Sequence, residues 1–567
     1  MRSSLQAERW TWAALAAVVA GSALFIYLQG HGTTFVRDEW NLILTRRGHS
    51  PDTFLRPHNL HLLVLQVLAY KALLQVFGLT TYAPYRAVSV ALHVLVTLLL
   101  FVFARRREGP VSALAIAAVF AVPGVASDEV LWPFQMGFLG SMAAGLGMLL
   151  VLERRDAWGD VVAGVLLVVA LASSGLGLAF AFAGAVDVAI GPDRRRRFVR
   201  VLAVPLALYG LWYIAYGGPV PRNLLPATEV PGAPPVNLFD NFLRAPLYVF
   251  DAAGAALASL VGIDFVFGPT LAVAAVVLIA LRLLRGPPPR AGLWVVLALA
   301  VGYWVLLALA RAQFNDFSAP RYQYPAVAFT LLVAAEAAWG MRGFGRALPW
   351  LVGAAAVVVV SHISLLENEA HGFRVLGDQV LPRLTALELA RERVDPSFRP
   401  FPDAMGAAPD IVAGPYFAAV GAFGSPAPTL GELARRPDLE RVWADGTLVQ
   451  ALAVHPVLED TAVPAGPAPP VVGAQGGQPT VQGGCAVLRP DTIGAWMELR
   501  VPPTGLTLTS SPGGPLLLRA RRLAAGFGNP FAAVPGARSA VIRFPGDRLA
   551  QPWYLRIDSG QEVRACG

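Results

Sequence analysis

Charged side chains are scarce in this sequence. Asp, Glu, Lys and Arg make up 14% of its 567 residues, and 55% of the residues are hydrophobic. A soluble protein carries about a quarter charged residues, so a soluble globular chain of this length is excluded. Uncharged runs alternate with short charged segments, and runs of about 18 or more apolar residues are typical of membrane-spanning helices. The composition therefore predicts an α-helical polytopic membrane protein.

Lysine is almost absent, since Lys71 is the only one and nearly all of the basic charge is arginine. Such usage is typical of a GC-rich bacterial genome. The net charge of +8 would by itself also suit a nucleic-acid-binding protein. The arginines, however, lie in short loops between apolar runs, as the positive-inside rule describes. This placement indicates a membrane topology and argues against nucleic acid as a partner.

The arginine-rich loops set the orientation of the predicted helices. About eleven transmembrane helices, with the N-terminus in the cytoplasm and the C-terminus outside, leave every such loop on the cytoplasmic side. The first helix is predicted to stay uncleaved, because its apolar run is longer than the core of a signal peptide. The predicted spans are residues 10–29, 87–104, 111–126, 134–152, a hairpin of two short helices within 161–186, then 198–216, 265–284, 293–310, 324–339 and 348–366.

Two further apolar stretches are expected not to cross. Residues 62–77 are interrupted by polar side chains and suit a helix that lies along the membrane interface. Residues 243–261 include Arg244 and Asp251, and a full crossing there would place the next arginine-rich loop outside. We expect this stretch to be re-entrant or to lie on the surface. The hairpin within 161–186 follows from the same rule, because a single crossing would put the next arginine cluster outside.

The character of the chain changes after residue 366. Apolar runs become short, and Pro and Gly become frequent. From about residue 471, short strand-like pieces separated by turn signals predict a small β-sandwich. The expected organisation is a membrane domain over 1–366 with outer loops 30–86, 127–133, 217–264 and 311–323, an extracytoplasmic linker or subdomain over 367–469, and a β-sandwich-like extracytoplasmic domain over 470–567.

Cysteine is also rare. The chain has two, Cys485 and Cys566, and both lie in the predicted β-sandwich. In an oxidising outer compartment a disulfide is the expected state of such a pair. Two buried free thiols are the alternative.

The first outer loop holds a concentration of polar residues. Arg37, Asp38 and Glu39 follow the first helix, and His58 and His61 lie further along the same loop. A structural explanation is open for both groups, because acids suit a helix N-terminus and the histidines suit an interfacial pair that caps the next helix. An acidic pair and a basic residue beside an interfacial helix also suit the handling of a lipid phosphate next to a water-soluble acceptor.

With these residues the sequence resembles the GT-C class of membrane glycosyltransferases. The class includes the protein O-mannosyltransferases and the aminoarabinose and other polyprenyl-phosphate-sugar transferases, and an outer C-terminal domain is common in it. The resemblance covers the layout of about the first 370 residues and is most specific in the first loop. The segments that carry it are Asp38-Glu39, Pro57-His58-Asn59-Leu60-His61, Tyr85-Arg86 with His93, Asp128-Glu129-Val130-Leu131-Trp132-Pro133-Phe134-Gln135 and Ser318-Ala319-Pro320-Arg321-Tyr322-Gln323-Tyr324.

The resemblance implies a lipid-linked sugar donor, a single inverting displacement and an outer-loop aspartate as the base. Asp38 is the predicted base, with Glu39 as the second member of the catalytic pair, since a hydroxyl nucleophile needs a carboxylate to take its proton. Arg321 is the first candidate to clamp the phosphate, and stacking with Tyr322 at the interface is the alternative. The residues predicted to bind substrate are Arg37, His58, His61, Arg86, Arg321 and Tyr322.

A second acidic pair, Asp128 and Glu129, follows the third predicted span. In some members of the resembled class a second-loop acid helps to bind a divalent metal. The pair is therefore the candidate ligand for Mg or Mn, which prefer oxygen ligands. An exposed loop that tolerates acids is the alternative, and no other cofactor is predicted.

The expected function is transfer of a sugar from a polyprenyl-phosphate donor to an extracytoplasmic glycan, lipid or protein, at the inner or plasma membrane. A transporter or flippase of lipid-linked sugars is the first alternative. Such proteins place ionisable or broken-helix sites near the middle of the membrane, whereas the spans here are nearly free of charge. A non-catalytic envelope scaffold is the second alternative, and it leaves the Asp38-Glu39 loop without a purpose.

Overall fold

The computed structural model describes residues 2–59, 61–217, 237–341, 344–402, 406–459, 466–545 and 549–567. Residues 218–236, the proline-rich part of the predicted outer loop 217–264, lie outside the described residues. The chain divides into two compact units, Met1–Val375 and Leu376–Gly567.

The first unit is built of helices. Apolar segments favour them because a helix satisfies every backbone hydrogen bond within the segment. In chain order they are α1 (Arg2–Gln29), α2 (Glu39–Thr45), α3 (Pro51–Leu55), α4 (Val64–Phe77), α5 (Ala83–Glu108), α6 (Pro110–Ala121), α7 (Asp128–Leu131), α8 (Met136–Leu152), α9 (Ala157–Ser173), α10 (Gly177–Ile190), α11 (Arg194–Phe198), α12 (Val204–Tyr216), α13 (Leu238–Val261), α14 (Gly268–Arg285), α15 (Ala291–Arg311), α16 (Pro320–Ala338) and α17 (Phe344–Leu389), which continues into the second unit.

Seven helical segments of the described residues are long and apolar enough to cross a membrane. They are Glu8–Gln29, Ala83–Glu108, Pro133–Leu152, Arg194–Tyr216, Phe265–Arg285, Ala291–Phe314 and Leu348–Leu389. The other four predicted spans coincide with α6, α9, α10 and α16. A helix therefore stands at each position predicted as a span, and the number that cross a bilayer stays a prediction.

The predicted hairpin within 161–186 is formed by α9 and α10. Arg155, just before α9, donates to both carboxylate oxygens of Asp187 near the end of α10, at 2.8 and 3.0 Å. Arg197 binds Asp160 in the first turn of α9 as well as Asp187, at 3.0 and 2.7 Å. The start of one helix therefore lies beside the end of the other, so the two run antiparallel.

Helix α13 covers the stretch that was predicted not to cross. Its first turn contacts the end of α15, because Asn241 donates to the carbonyl of Leu309 at 2.8 Å. Further along, the Tyr248 hydroxyl donates to the carbonyl of Asp316 at 3.1 Å, and the Ser259 hydroxyl donates to Gln323 in α16 at 3.2 Å. These partners follow one another around the α15–α16 connection, so α13 passes across the ends of its neighbours. Its depth in a bilayer stays a prediction.

The last predicted span, residues 348–366, lies within α17, which continues without interruption to Leu389, and the point at which it leaves the membrane stays a prediction. Beyond the uncharged run the helix becomes amphipathic, and its buried apolar residues recur every three or four positions, as on one face of a helix. They are Leu366, Ala370, Phe373, Val380, Leu384 and Leu387. The boundary between the two compact units falls inside this helix, after Val375.

The second unit begins with the end of α17 and three further helices, α18 (Ala413–Phe423), α19 (Leu430–Leu433) and α20 (Asp438–Ala451). The strands that follow are β1 (Val457–Glu459), β2 (Val471–Gln475), β3 (Thr480–Gln482), β4 (Cys485–Leu488), β5 (Trp496–Arg500), β6 (Leu506–Ser510), β7 (Leu516–Arg521), β8 (Ala532–Val534), β9 (Ser539–Ile542), β10 (Tyr554–Asp558) and β11 (Val563–Cys566).

In the described part of the chain these strands form two antiparallel sheets, β1-β9-β6-β11-β4-β3 and β2-β5-β10-β7-β8. Burial alternates along strands such as β7, where Leu516 and Leu518 are buried and Leu517 is exposed, as expected when one face of a sheet packs on a core. The predicted class, a polytopic helical protein with a C-terminal β-rich domain, is confirmed. One strand, β1, precedes residue 470 and pairs with β9, and the predicted bounds of the domain stay a prediction.

The predicted disulfide between Cys485 and Cys566 is confirmed. The two residues lie directly opposite each other on β4 and β11, with their Cα atoms 4.2 Å apart. The bond therefore joins neighbouring strands of one sheet and ties the final strand of the chain into the domain.

Candidate active site

Asp38 occupies a sharp turn between α1 and α2. The preceding residue, Arg37, has a positive φ of 52°, a conformation that is uncommon for a residue with a side chain. Asp38 stands at the N-cap position of α2, but its carboxylate makes no capping hydrogen bond. The side chain is 17% exposed, and Oδ2 lies 3.9 Å from Nε2 of His58, which is buried. The carboxylate is thus held beside an imidazole and remains reachable.

Glu39 points in another direction and is fully buried. Its carboxylate accepts hydrogen bonds from the Tyr70 hydroxyl at 2.6 Å, the Tyr82 hydroxyl at 2.9 Å and the Val36 amide at 2.9 Å. Burial raises the pKa of Glu39 from 4.5 to about 8, and these hydrogen bonds limit the rise. Tyr70 belongs to α4 and Tyr82 immediately precedes α5. Glu39 therefore anchors the first loop to two neighbouring helices.

The two histidines of the loop are joined through the backbone. The amide of His58 donates to the carbonyl of His61 at 3.0 Å, and the amide of His61 donates to the carbonyl of His58 at 2.9 Å. The His58 ring packs edge-on against Phe134, with ring centroids 5.4 Å apart. The His61 ring lies against Gly175 in the α9–α10 turn, so closely that a Cβ there would clash. Burial, with Arg311 and His58 nearby, lowers the pKa of His61 to about 4, so His61 is neutral at pH 7.

Asp128, in the second loop, interacts electrostatically with arginines from two other parts of the chain. It begins α7 and is buried. Burial raises its pKa, and Arg321 and Arg37 oppose that rise. One arginine comes from the first loop and the other from the start of α16. The predicted acidic pair of the second loop therefore lies among the basic residues that were assigned to substrate.

The two arginines differ in their surroundings. The Arg37 guanidinium lies over Trp132 and Phe373, 5.6 and 5.9 Å from the ring centroids. Arg321 is 35% exposed, 3.4 Å from Asp316 and 4.9 Å from the ring centroid of Tyr322. The interfacial stacking considered as an alternative for Arg321 is thus present. It leaves part of the guanidinium accessible, so it does not exclude phosphate binding.

Glu129 is the more enclosed member of the acidic pair predicted to bind a metal. Glu129 is fully buried, and neither of its carboxylate oxygens has a hydrogen-bond partner among the described residues. Burial and the neighbouring Asp128 raise its pKa well above the ordinary value. The part of the chain that the structure describes contains no group of three or more His, Cys, Asp or Glu residues placed to hold a metal. Mg²⁺ is commonly held by one or two carboxylates together with waters and substrate phosphates, so the metal-binding role of Asp128 and Glu129 stays a prediction.

Arg86 has contacts of a structural kind. It is buried, its guanidinium donates to the carbonyl of Tyr27 at 2.8 Å, and it lies 4.8 Å from the centroid of that ring. An arginine that binds a carbonyl in the last turn of a helix satisfies one of the acceptors left open there. The predicted role of Arg86 in substrate binding finds no support in these contacts.

Sequence reasoning missed several partners of the site. Tyr70 and Tyr82 hold Glu39, and Trp132 and Phe134 pack on Arg37 and His58. The Trp132-Pro133-Phe134 segment was quoted for the resemblance, and its aromatic residues beside two acids are a usable signal. The tyrosines carry no comparable signal, because they come from helices that only the tertiary fold brings to Glu39.

No protein-family model matches the sequence, and no curated protein is significantly similar to it. Among solved structures the chain is similar to ArnT from Cupriavidus metallidurans bound to undecaprenyl phosphate. The TM-score is 0.44, the sequence identity is 15%, and the match covers 68% of this chain and 81% of ArnT.

Proposed function

We propose that this protein is a membrane glycosyltransferase that transfers a sugar from a polyprenyl-phosphate donor to an acceptor outside the cytoplasm. The observation that carries the proposal is the reachable Asp38 carboxylate, held 3.9 Å from His58 in a loop that also presents Arg37. Arg37 and Arg321 both oppose the burial-driven rise in the pKa of Asp128 in the second loop. A base beside a concentration of arginines is what group transfer from a phosphate-linked donor requires.

In the proposed reaction Asp38 takes the proton from a hydroxyl of the acceptor. The acceptor oxygen forms a bond to the anomeric carbon, and the bond between that carbon and the phosphate oxygen breaks. The sugar is transferred with inversion, and the polyprenyl phosphate leaves with an additional negative charge. Arg321 stabilises that charge through its accessible guanidinium, since arginine pairs with phosphate through parallel hydrogen bonds.

The surroundings of Asp38 suit this role. His58 is fixed by its backbone pairing with His61 and by its contact with Phe134, so its imidazole has a set position beside the Asp38 carboxylate, 3.9 Å away. Glu39 anchors the loop without reaching the same space, because its carboxylate is buried between Tyr70 and Tyr82. A catalytic group needs such rigid support to meet its substrate in the correct geometry.

The proposal places the protein in the inner or plasma membrane with Asp38 on the outer side and the C-terminal domain extracytoplasmic. The acceptor is then a glycan, lipid or protein of the cell envelope. The orientation follows from the arginine-rich ends of α5, α8 and α16, which the positive-inside rule assigns to the cytoplasm.

The test is incubation of the purified full-length chain with a panel of radiolabelled polyprenyl-phosphate sugars. Release of polyprenyl phosphate together with transfer or hydrolysis of one sugar is the expected result, and the Asp38→Asn variant purified in parallel excludes a contaminating activity. Movement of intact lipid-linked sugar across proteoliposomes without bond cleavage would favour the flippase. Absence of both activities with every donor of the panel would favour the non-catalytic envelope scaffold.

A further inference from the structure

A polar cavity of about 340 Å³ lies among the helix ends that carry the arginine-rich loops. Its walls come from the ends of α5, α8 and α16 and from the start of α15. The residues that matter here are Arg106, Arg107, Glu153, Arg290, Gly292 and Glu336. None of them belongs to the proposed active site, which is formed by loops at other helix ends.

The volume is too large for a single bound water and is typical of a pocket for a small ligand. A water molecule occupies about 30 Å³ of liquid, and small-molecule pockets span about 300 to 1,000 Å³. A polar cavity between helices at the basic side of a membrane protein is also where lipid headgroups bind.

The positive groups of the cavity are incompletely neutralised. Arg106 and Arg107 share the carboxylate of Glu153, each at 2.6 Å, and half of the Arg106 side chain is exposed. Arg290 is exposed and lies 4.6 Å from the ring centroid of Trp339. It has no carboxylate partner among the described residues. Two guanidinium groups can therefore donate further hydrogen bonds to an anion.

One acceptor in the cavity also has no donor. Glu336 is 2% exposed, and its Oε1 accepts from Arg107 Nε at 2.5 Å. Its other oxygen, Oε2, is buried without a hydrogen-bond partner among the described residues. A Cβ at Gly292 would collide with this carboxylate, so the glycine makes room for it. A buried carboxylate oxygen left without a donor is costly, and a ligand that brings a donor would remove that cost.

We propose that this cavity binds the headgroup of an aminophospholipid of the phosphatidylethanolamine type. The phosphate contacts Arg106 and Arg290, and the primary ammonium contacts the Glu336 carboxylate in the cavity wall. Such a headgroup supplies an anion for the arginines and a hydrogen-bond-donating cation for the Glu336 carboxylate. Its acyl chains extend into the bilayer beside the helices. A glycerol headgroup supplies only the anion, and a choline headgroup has a cation that cannot donate a hydrogen bond.

Native mass spectrometry of the delipidated full-length chain tests the proposal with dioleoyl phosphatidylethanolamine, phosphatidylcholine and phosphatidylglycerol. We expect the ethanolamine lipid to bind about tenfold more tightly than the other two, because it alone adds a charge-assisted hydrogen bond to Glu336. Soluble glycerophosphoethanolamine serves as the competitor that separates a free headgroup from a lipid. Displacement of the lipid by glycerophosphoethanolamine at equal concentration would assign the site to a soluble ligand and overturn the proposal of a lipid site.

Two variants distinguish binding of the phosphate group from binding of the ammonium group. Glu336→Gln should remove the preference for ethanolamine over choline, and Arg290→Gln should weaken all three lipids several-fold. Glu8→Gln and Arg154→Gln are the matched controls, because these residues pair with Arg105 and Asp156 outside the cavity. Arg290 is exposed, so its variant tests the proposal even if Glu336→Gln does not fold. Equal affinity of the wild type for the three lipids, or no effect of Arg290→Gln, would overturn it.

Discussion

Asp38 and Glu39 are neighbours in the sequence, yet their carboxylates lie in different environments. That of Asp38 is 17% exposed and faces His58 at 3.9 Å, whereas Glu39 is fully buried and accepts hydrogen bonds from Tyr70 and Tyr82. Successive residues in a helical turn point about 100° apart, so one of the two can face a ligand while the other holds the loop. The pair thus divides into a reachable acid and a structural acid.

Asp38→Asn should abolish sugar transfer while donor binding and folding are retained. Asn preserves the shape of the side chain but cannot take the proton of the acceptor, and loss of a general base typically costs a factor of about 10² to 10⁴ in rate. Single-turnover transfer with a labelled donor measures the loss, and equilibrium donor binding serves as the control. Transfer at the wild-type rate by Asp38→Asn, with Glu39→Gln inactive, would identify Glu39 as the base instead.

Glu39→Gln should make stability less dependent on pH. Because folding raises the pKa of Glu39 to about 8, the native state binds more protons than the unfolded state between about pH 4.5 and about pH 8. Stability from this group is therefore complete at low pH and falls as the pH rises through that window, by at most about 1.4 kcal/mol per pH unit. Gln imitates the neutral acid and cannot ionise.

Thermal unfolding in detergent at about pH 5.5 and about pH 8 measures this effect. The Asp38→Asn variant is the matched control and should keep the pH dependence of the wild type. An equally steep decline in Glu39→Gln would show that another group is responsible.

Arg321→Lys should weaken donor binding about tenfold, because lysine cannot offer two parallel hydrogen bonds to a phosphate. Expression and thermal stability should stay normal, since Arg321 is 35% exposed. Arg86→Lys is the comparison variant. It should leave donor affinity unchanged, because the Arg86 guanidinium already donates to the Tyr27 carbonyl. Unchanged affinity in Arg321→Lys would reduce Arg321 to an interfacial residue stacked on Tyr322.

Replacing both Cys485 and Cys566 by Ala should destabilise the β domain. The bond closes a loop with a sequence separation of 81 residues, and the chain-entropy model assigns such a loop about 4 kcal/mol. Pulse proteolysis of the full-length chain in urea measures the change in the second unit. Mass spectrometry of the native protein without reductant verifies the bond, and two freely alkylated thiols would refute it.

A reporter that is active only in the cytoplasm should give no signal when fused to Gly567, because the predicted topology places the C-terminus outside. The same reporter placed after Arg107, in the α5–α6 connection, should be active and serves as the positive control. A strong signal at Gly567 would overturn the odd number of crossings, and a silent fusion after Arg107 in addition would move Asp38 to the cytoplasmic side.

The sequence by itself determined the helix positions and the β domain. Long uncharged runs leave a chain no alternative to helices in a membrane, and alternating short strands with turn signals specify a sheet. The disulfide also followed, since only two cysteines are present. The point at which α17 leaves the membrane stays a prediction, because a helix that changes from uniformly apolar to amphipathic shows no breaking residue where the hydropathy falls.

Only the tertiary structure decided what each polar side chain of the predicted site contacts. The sequence could name Arg86, Asp128 and Glu129 as candidates, but composition and motif spacing do not show what a side chain faces. The fold turns Arg86 towards Tyr27, buries Glu129, and brings Arg37 and Arg321 to Asp128 from distant loops. Burial and electrostatic partnership depend on contacts between residues far apart in the chain, and those contacts exist only after folding.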